Sequence, residues 1–182
     1  SWPRPKTRNL DPTLLSKKPE FFWTYANPMP PFPQTVSPYK SYRLPVWRAW
    51  QAGMNGFGYW VYSYKTHWNS YKHEDGQNWA VVYFADAPDT PVGISKKELV
   101  VTGKRWEATR EGVEDYVYLY LLSDAIKASA DKVSPELLTD AKRVLTQCPK
   151  AVLGDVENPS LADKAKEDVL NALCTLLAEN ER

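Results

Sequence analysis

Gly53 to Trp68 reads GMNGFGYWVYSYKTHW, and it is the stretch around which the chain is organised. Phe57, Tyr59 and Val61 alternate with Gly58, Trp60 and Tyr62, a period of two that predicts a β-strand. Aromatic and β-branched residues in so short a run favour strand over helix. Gly56 and Gly58 have no side chain, so a neighbouring backbone or a ligand can come close there. The strand delivers Trp60, Tyr62, Tyr64, His67 and Trp68 toward one end. Aromatic faces that stack on rings, with polar tips that hydrogen-bond, suit a flat, hydroxyl-rich ligand such as a sugar.

Working outward, Ser37 to Ala52 precedes this strand with helical spacing of Tyr42, Val46, Trp47 and Trp50. Ser37 suits the N-cap, Pro38 the first helical position and Gly53 the C-terminal stop. Pro45 conflicts with an unbroken helix, and either kinks it or marks its true start. Before it lie a proline-dense loop, NPMPPFP from Asn27, and a further strand from Glu20 to Asn27. In that strand Phe21, Trp23 and Tyr25 share one face, and Phe22, Thr24 and Ala26 the other. Both faces are apolar or small, as in a parallel strand covered on both sides. Strand, helix, strand predicts a βαβ unit with a right-handed crossover. Residues 1 to 20 read as a connection, with a short turn over Pro12 to Ser16.

Asn69 to Gly103 is irregular, with turns at His73–Gly76 and Asp86–Pro91 and short extended pieces at Ala80–Phe84 and Leu99–Thr102. Arg105 to about Ala128 is the strongest helix. Trp106, Thr109, Val113, Tyr116, Val117, Tyr120 and Leu121 form its expected apolar stripe. Ser134-Pro135-Glu136 opens a helix to about Gln147, and Pro159-Ser160 one to about Glu179. Leu161, Ala165, Val169, Ala172, Leu173 and Leu176 are the expected buried face of the last.

Composition narrows the function classes. The 23 Lys and Arg are spread among 22 acids, giving a net charge of +1 and no basic footprint for nucleic acid. No apolar run approaches the roughly 18 residues needed to span a membrane. The first residues, SWPRPKTRNL, carry no signal-peptide core, so a secreted or periplasmic location would need a signal upstream. The eight Trp and most of the fifteen Pro precede Glu107, so an aromatic, proline-punctuated part is followed by a plainly helical one. Cys148 and Cys174 fit no zinc spacing. A disulfide between helices and two buried thiols are the alternatives, the thiols being expected. No cofactor and no metal site is expected, since no His, Cys and acid cluster is visible.

Three local sequences add a resemblance: WTY at Trp23 to Tyr25, the Arg43-to-Trp50 helix feeding GMNGFGYW, and above all RWEATREGVEDYVYLYLL from Arg105 to Leu122. Together they resemble the C-terminal part of glycoside hydrolase family 123-like proteins over most of residues 20 to 130. The resemblance implies an α/β fold, the last two β/α units of a (β/α)8 TIM-type barrel followed by C-terminal helices. Residues 1–130 would be the barrel portion and 131–182 a helical extension packed on it. Barrel active sites lie at the C-terminal ends of the strands. That places Trp23, Tyr25 and Asn27 beside Trp60, Tyr62 and Trp68 as substrate-binding residues.

The family is similar to β-N-acetylgalactosaminidases that retain configuration by substrate assistance, with a Glu acid and an adjacent Asp that orients the acetamide. That pair is expected upstream of this sequence, so no catalytic residue carries over and the chain alone is not expected to be active. Tyr25 would hydrogen-bond the acetamide and Trp60 stack on it. The implied partners are an N-acetylhexosamine-containing glycan and the rest of the barrel, upstream or in another chain. A non-catalytic carbohydrate-binding module and a structural or assembly fragment are the rival readings.

Other candidates have plainer explanations. Glu74-Asp75 precedes Gly76 and reads as a solvated turn. His67 and His73 show no partner and read as rim polar groups. Glu107, Arg110, Glu114 and Asp115 stand at helical spacing and read as surface pairs. Trp106 reads as a core anchor.

Overall fold

A computed structural model of the 182-residue chain describes residues 23–25, 37–59, 80–84, 92–94 and 100–180. Strand β1 is Trp23–Tyr25. A π-helical turn, Tyr39–Arg43, leads into α1, Leu44–Gln51. Strands β2 (Gly56–Gly58), β3 (Val82–Phe84) and β4 (Val100–Thr102) follow. Three long helices complete the chain: α2, Lys104–Ala128; α3, Pro135–Gly154; and α4, Ser160–Asn180.

The architecture corrects the barrel expectation. The described residues are mostly helical, and their strands, each three residues long, form two separate two-stranded sheets. β1 pairs with β2 in parallel, Trp23 opposite Gly56 and Tyr25 opposite Gly58. β3 pairs with β4 antiparallel, Val82 opposite Thr102. The described residues do not form two β/α units of a TIM-type barrel. The physical reason lies in β1: Trp23 and Tyr25 are 66% and 60% exposed, whereas a barrel strand is covered on both faces. The mass of the core sits instead among helices, as an α-helical packing of amphipathic faces.

Local chemistry sets the helix ends. After α1, Gly53 adopts φ 68°, the left-handed conformation glycine enters without a Cβ penalty. Its N–H donates to Trp50 O at 2.9 Å, and that of Met54 to Ala49 O at 2.8 Å, the paired bonds of a Schellman stop. At the other end, the N–H of Leu44 reaches back five residues to Tyr39 O. The widened π turn thus ends where Pro45 stands in the first turn of α1, a position that does not need its missing N–H. This resolves the conflict over Pro45. Ser134 Oγ accepts from the N–H of Leu137 at 3.3 Å and caps α3, with Pro135 first in the helix. That helix runs on through Pro149 to Gly154, past the expected end near Gln147.

One apolar cluster joins Leu44 and Trp47 of α1, Leu119, Leu122 and Ile126 of α2, Cys148 and Val152 of α3, and Val169, Leu173 and Leu176 of α4. Residues on both sides of position 130 therefore share a core. A smaller cluster of Tyr42, Val81 and Val82 lies beside it, with Tyr59, Trp106 and Ala108 packed on it. Trp106 is half-buried there, at the edge of that cluster. The expected stripe of α2 also needs correction. Its buried face is Gly112, Asp115, Leu119, Leu122, Ala125 and Ile126, while Val113, Val117, Tyr120 and Leu121 are exposed. Cys148 is a buried free thiol, pushed up to about 11 by burial, and Cys174 is an exposed free one.

Candidate functional site

The six residues expected to bind substrate divide in two. Trp23 and Tyr25 are described, and Asn27, Trp60, Tyr62 and Trp68 lie outside the described residues, as do His67, His73, Glu74 and Asp75. Trp23 and Tyr25 stand two residues apart on β1, so the pleat sends both side chains to the same face. Each is paired in register with a glycine of β2.

That pairing shapes the surface. A Cβ placed on Gly56 would stand 2.6 Å from Cδ1, Cδ2 and Nε1 of Trp23. Those atoms surround the five-membered ring, so the three equal distances put the indole face-on over the glycine backbone. One face of the indole is therefore laid on Gly56, and the ring as a whole is 66% exposed. Beside it Tyr25, 60% exposed, faces Gly58 across the pair. The result is an exposed aromatic pair with Gly56 beneath the indole.

The rest of β2 turns toward the interior. Phe57 and Tyr59 lie 5.7 Å apart with planes tilted by 38°, and Tyr59 meets Tyr42 edge-on at 5.3 Å. Phe57 also borders an apolar groove of about 160 Å³, with Val46 and Ala49 of α1 and Val113, Tyr116 and Val117 of α2. Tyr116 fastens this corner. Its hydroxyl donates to Met54 O at 3.0 Å and its ring meets Trp50 edge-on at 5.3 Å.

Sequence reasoning missed the polar centre that holds the platform's supporting helices. Asp115, with a fully buried side chain, accepts from Arg43 Nε at 2.7 Å, Arg43 Nη2 at 3.1 Å and Trp47 Nε1 at 2.8 Å. Arg43 Nη1 donates to Asp163 Oδ1 of α4 at 2.6 Å. The bidentate fork suits a guanidinium and not an ammonium. Burial works against the charge on Arg43, but its bonds to Asp115 and Asp163 more than offset this and hold it above its ordinary value. Burial pushes the Asp115 carboxyl upward, opposed by Arg43 and Trp47. The signal was present in sequence: Arg43 and Trp47 are donors four apart on a helix whose other inward positions are apolar.

Around this centre Lys166 of α4 donates to Glu111 Oε2 at 2.9 Å and Glu114 Oε2 at 2.7 Å. On the outer side Arg110 pairs with Glu107, Glu111 and Glu114. Glu107, Arg110 and Glu114 thus make helix-surface pairs, whereas Asp115 is interior. Between α3 and α4 an open groove of about 410 Å³ is bordered by Asp140, Arg143, Asp168, Asn171 and Thr175. Among the described residues no group of three or more His, Cys, Asp or Glu could hold a metal ion, and no helix is long and apolar enough to cross a membrane.

No family model, no curated protein and no solved structure matches this chain.

Proposed function

We propose that this chain recognises carbohydrate, as the non-catalytic, aromatic-bearing part of a glycoside hydrolase-like protein that acts on N-acetylhexosamine-containing glycans. The observation that carries the reading is the Trp23 indole, laid flat on Gly56 and open to solvent beside Tyr25. Burying a large apolar side chain stabilises a fold by about 1.5–3 kcal/mol, and two neighbouring aromatic residues on one strand largely forgo that gain. Single exposed apolar residues are ordinary, but a paired flat surface is what a pyranose ring stacks on. The run from Arg105 to Leu122, with its resemblance to family 123-like proteins, supports a glycosidase setting. The described residues offer no carboxylate at the platform. Glu107, Glu111, Glu114 and Asp115 of α2 are all engaged with Arg43, Arg110 or Lys166.

The test is calorimetric titration of the chain with N-acetylhexosamine oligosaccharides. Trp23→Ala should lower affinity at least about tenfold, equivalent to about 1.4 kcal/mol. Gly56→Ala, whose Cβ would meet the indole, should do the same by lifting the ring. Binding that is indifferent to both substitutions, or no binding by any sugar, would leave the aromatics as plain structure and end the proposal.

A further inference from the structure

The platform has two aromatic residues, and their spacing along β1 says what length of ligand it fits. Alternate residues of a strand stand about 6.6 Å apart along its axis, at about 3.3 Å per residue. That step is longer than a single pyranose ring and close to one sugar unit of a linear chain. We propose that Trp23 and Tyr25 are two successive stacking subsites for a linear oligosaccharide lying along β1. The inference rests on the carbohydrate reading above and adds the length and configuration of the glycan.

Two features give it its chemistry. Gly56 and Gly58 are the register partners of the two aromatic residues, so no side chain of these two partners rises beside either ring. Neither pairing builds a wall against the edge of a sugar, and the contact available is ring face on ring face. Two flat contacts along one chain favour sugars whose ring substituents are equatorial, because both of their faces then present only axial C–H. In a chain whose successive rings turn opposite faces to the strand, an axial hydroxyl would be pressed against one of the two aromatic residues and lose its water without a hydrogen bond in return, which costs free energy. A β-linked chain of gluco- or N-acetylgluco-configured units sets consecutive rings flat in this way.

The experiment titrates the full chain calorimetrically with two series of one to four sugars, chito-oligosaccharides and cello-oligosaccharides. A length step is expected between one sugar and two, with the disaccharide or trisaccharide at least about tenfold tighter than the monosaccharide, and little further gain beyond. Tyr25→Ala should erase that step, so that one sugar and longer chains bind alike. Tyr25→Phe should restore it, because the ring face and not the hydroxyl is used. Trp23→Ala should abolish binding of every member. Both side chains are exposed, so unchanged far-ultraviolet circular dichroism and thermal midpoints verify that the variants fold. Equal affinity for one sugar and for longer chains, still lost in Trp23→Ala, would overturn the two-subsite inference and leave carbohydrate recognition standing. No binding in either series would overturn the inference, and unresponsiveness to every N-acetylhexosamine oligosaccharide would overturn both.

Discussion

Asp115 is the residue whose removal tests the packing argument most sharply. It sits 72 positions from Arg43 in sequence, and the two close a buried, bidentate ion pair at 2.7 and 3.1 Å. Their side chains are 0% and 8% exposed, and Trp47 Nε1–H adds a third donor at 2.8 Å. Replacing both members of a buried pair by apolar groups is often nearly neutral, whereas breaking it from one side costs about 3–5 kcal/mol. Asp115→Ala leaves a buried guanidinium with Asp163 at 2.6 Å and Glu111 only at 4.0 Å, and leaves the Trp47 indole N–H without this acceptor. An orphaned buried donor costs about 1–3 kcal/mol by itself. We expect Asp115→Ala to lose about 4 kcal/mol or more, a large share of the 5–15 kcal/mol that holds a typical domain together. Arg43→Met should cost about 3–5 kcal/mol by leaving the carboxylate uncompensated. The double variant Arg43→Met with Asp115→Leu removes both charges, so only the indole cost of about 1–3 kcal/mol should remain. Urea denaturation at neutral pH, followed by far-ultraviolet circular dichroism, measures all three. A loss under about 1 kcal/mol in Asp115→Ala would refute the reasoning. So would a double variant whose loss equals the sum of those of Arg43→Met and Asp115→Leu measured singly, since independent sites add and a coupled pair does not.

Two more outcomes follow from the same region. At Gly112 a Cβ would stand 2.9 Å from Val46 Cγ2, 3.2 Å from Arg43 Cα and 3.3 Å from Arg43 O. Gly112→Ala gains about 1 kcal/mol of helix propensity but meets overpacking of about 1–3 kcal/mol, so its thermal midpoint should fall slightly; a rise would show slack where the π turn crosses α2. The Glu114 carboxyl is held below its ordinary value, chiefly by its hydrogen bond from Lys166. Its contribution is present above the ordinary carboxylate value and lost as pH falls through the depressed one, so Glu114→Gln should flatten the acid limb of the stability profile, and an unchanged limb would contradict this. Asp115 has the opposite sign: with its carboxyl raised, the folded state holds that proton at higher pH than the unfolded chain, and stability from this group falls as pH rises through that window.

The helices were legible because their ends are written locally. Ser134-Pro135 and Gly53 each mark a boundary through a side chain or backbone conformation that acts within a few residues, and before α4 Asn158 Oδ1 accepts from the N–H of Ser160 at 3.1 Å. The two antiparallel strands were legible as short apolar runs, 82–84 and 100–102. The barrel was not in these residues at all; it came with the resemblance, and the aromatic alternation of Trp23 and Tyr25 fits an outward face as well as an inward one. Period two says that side chains share a face, and only the far side of the sheet decides which face is wet.

The same indeterminacy explains why α2 was read on the wrong side. Apolar residues occur on nearly every side of it: Leu119, Leu122 and Ile126 lie on one arc, Val113, Val117, Tyr120 and Leu121 on another. Helical spacing alone cannot choose between two apolar arcs. The choice is made by Asp115, a charge that can be buried only where Arg43 and Trp47 wait for it, and those donors lie on an element far away in sequence. Because the arc containing Asp115 turns inward, the more apolar-looking arc is left outward, next to Phe57 and the apolar groove at β2. A single carboxylate thus sets the rotation of α2. That rotation fixes where Tyr116 can reach Met54 O just before β2, and so helps hold Gly56 in place beneath the Trp23 indole.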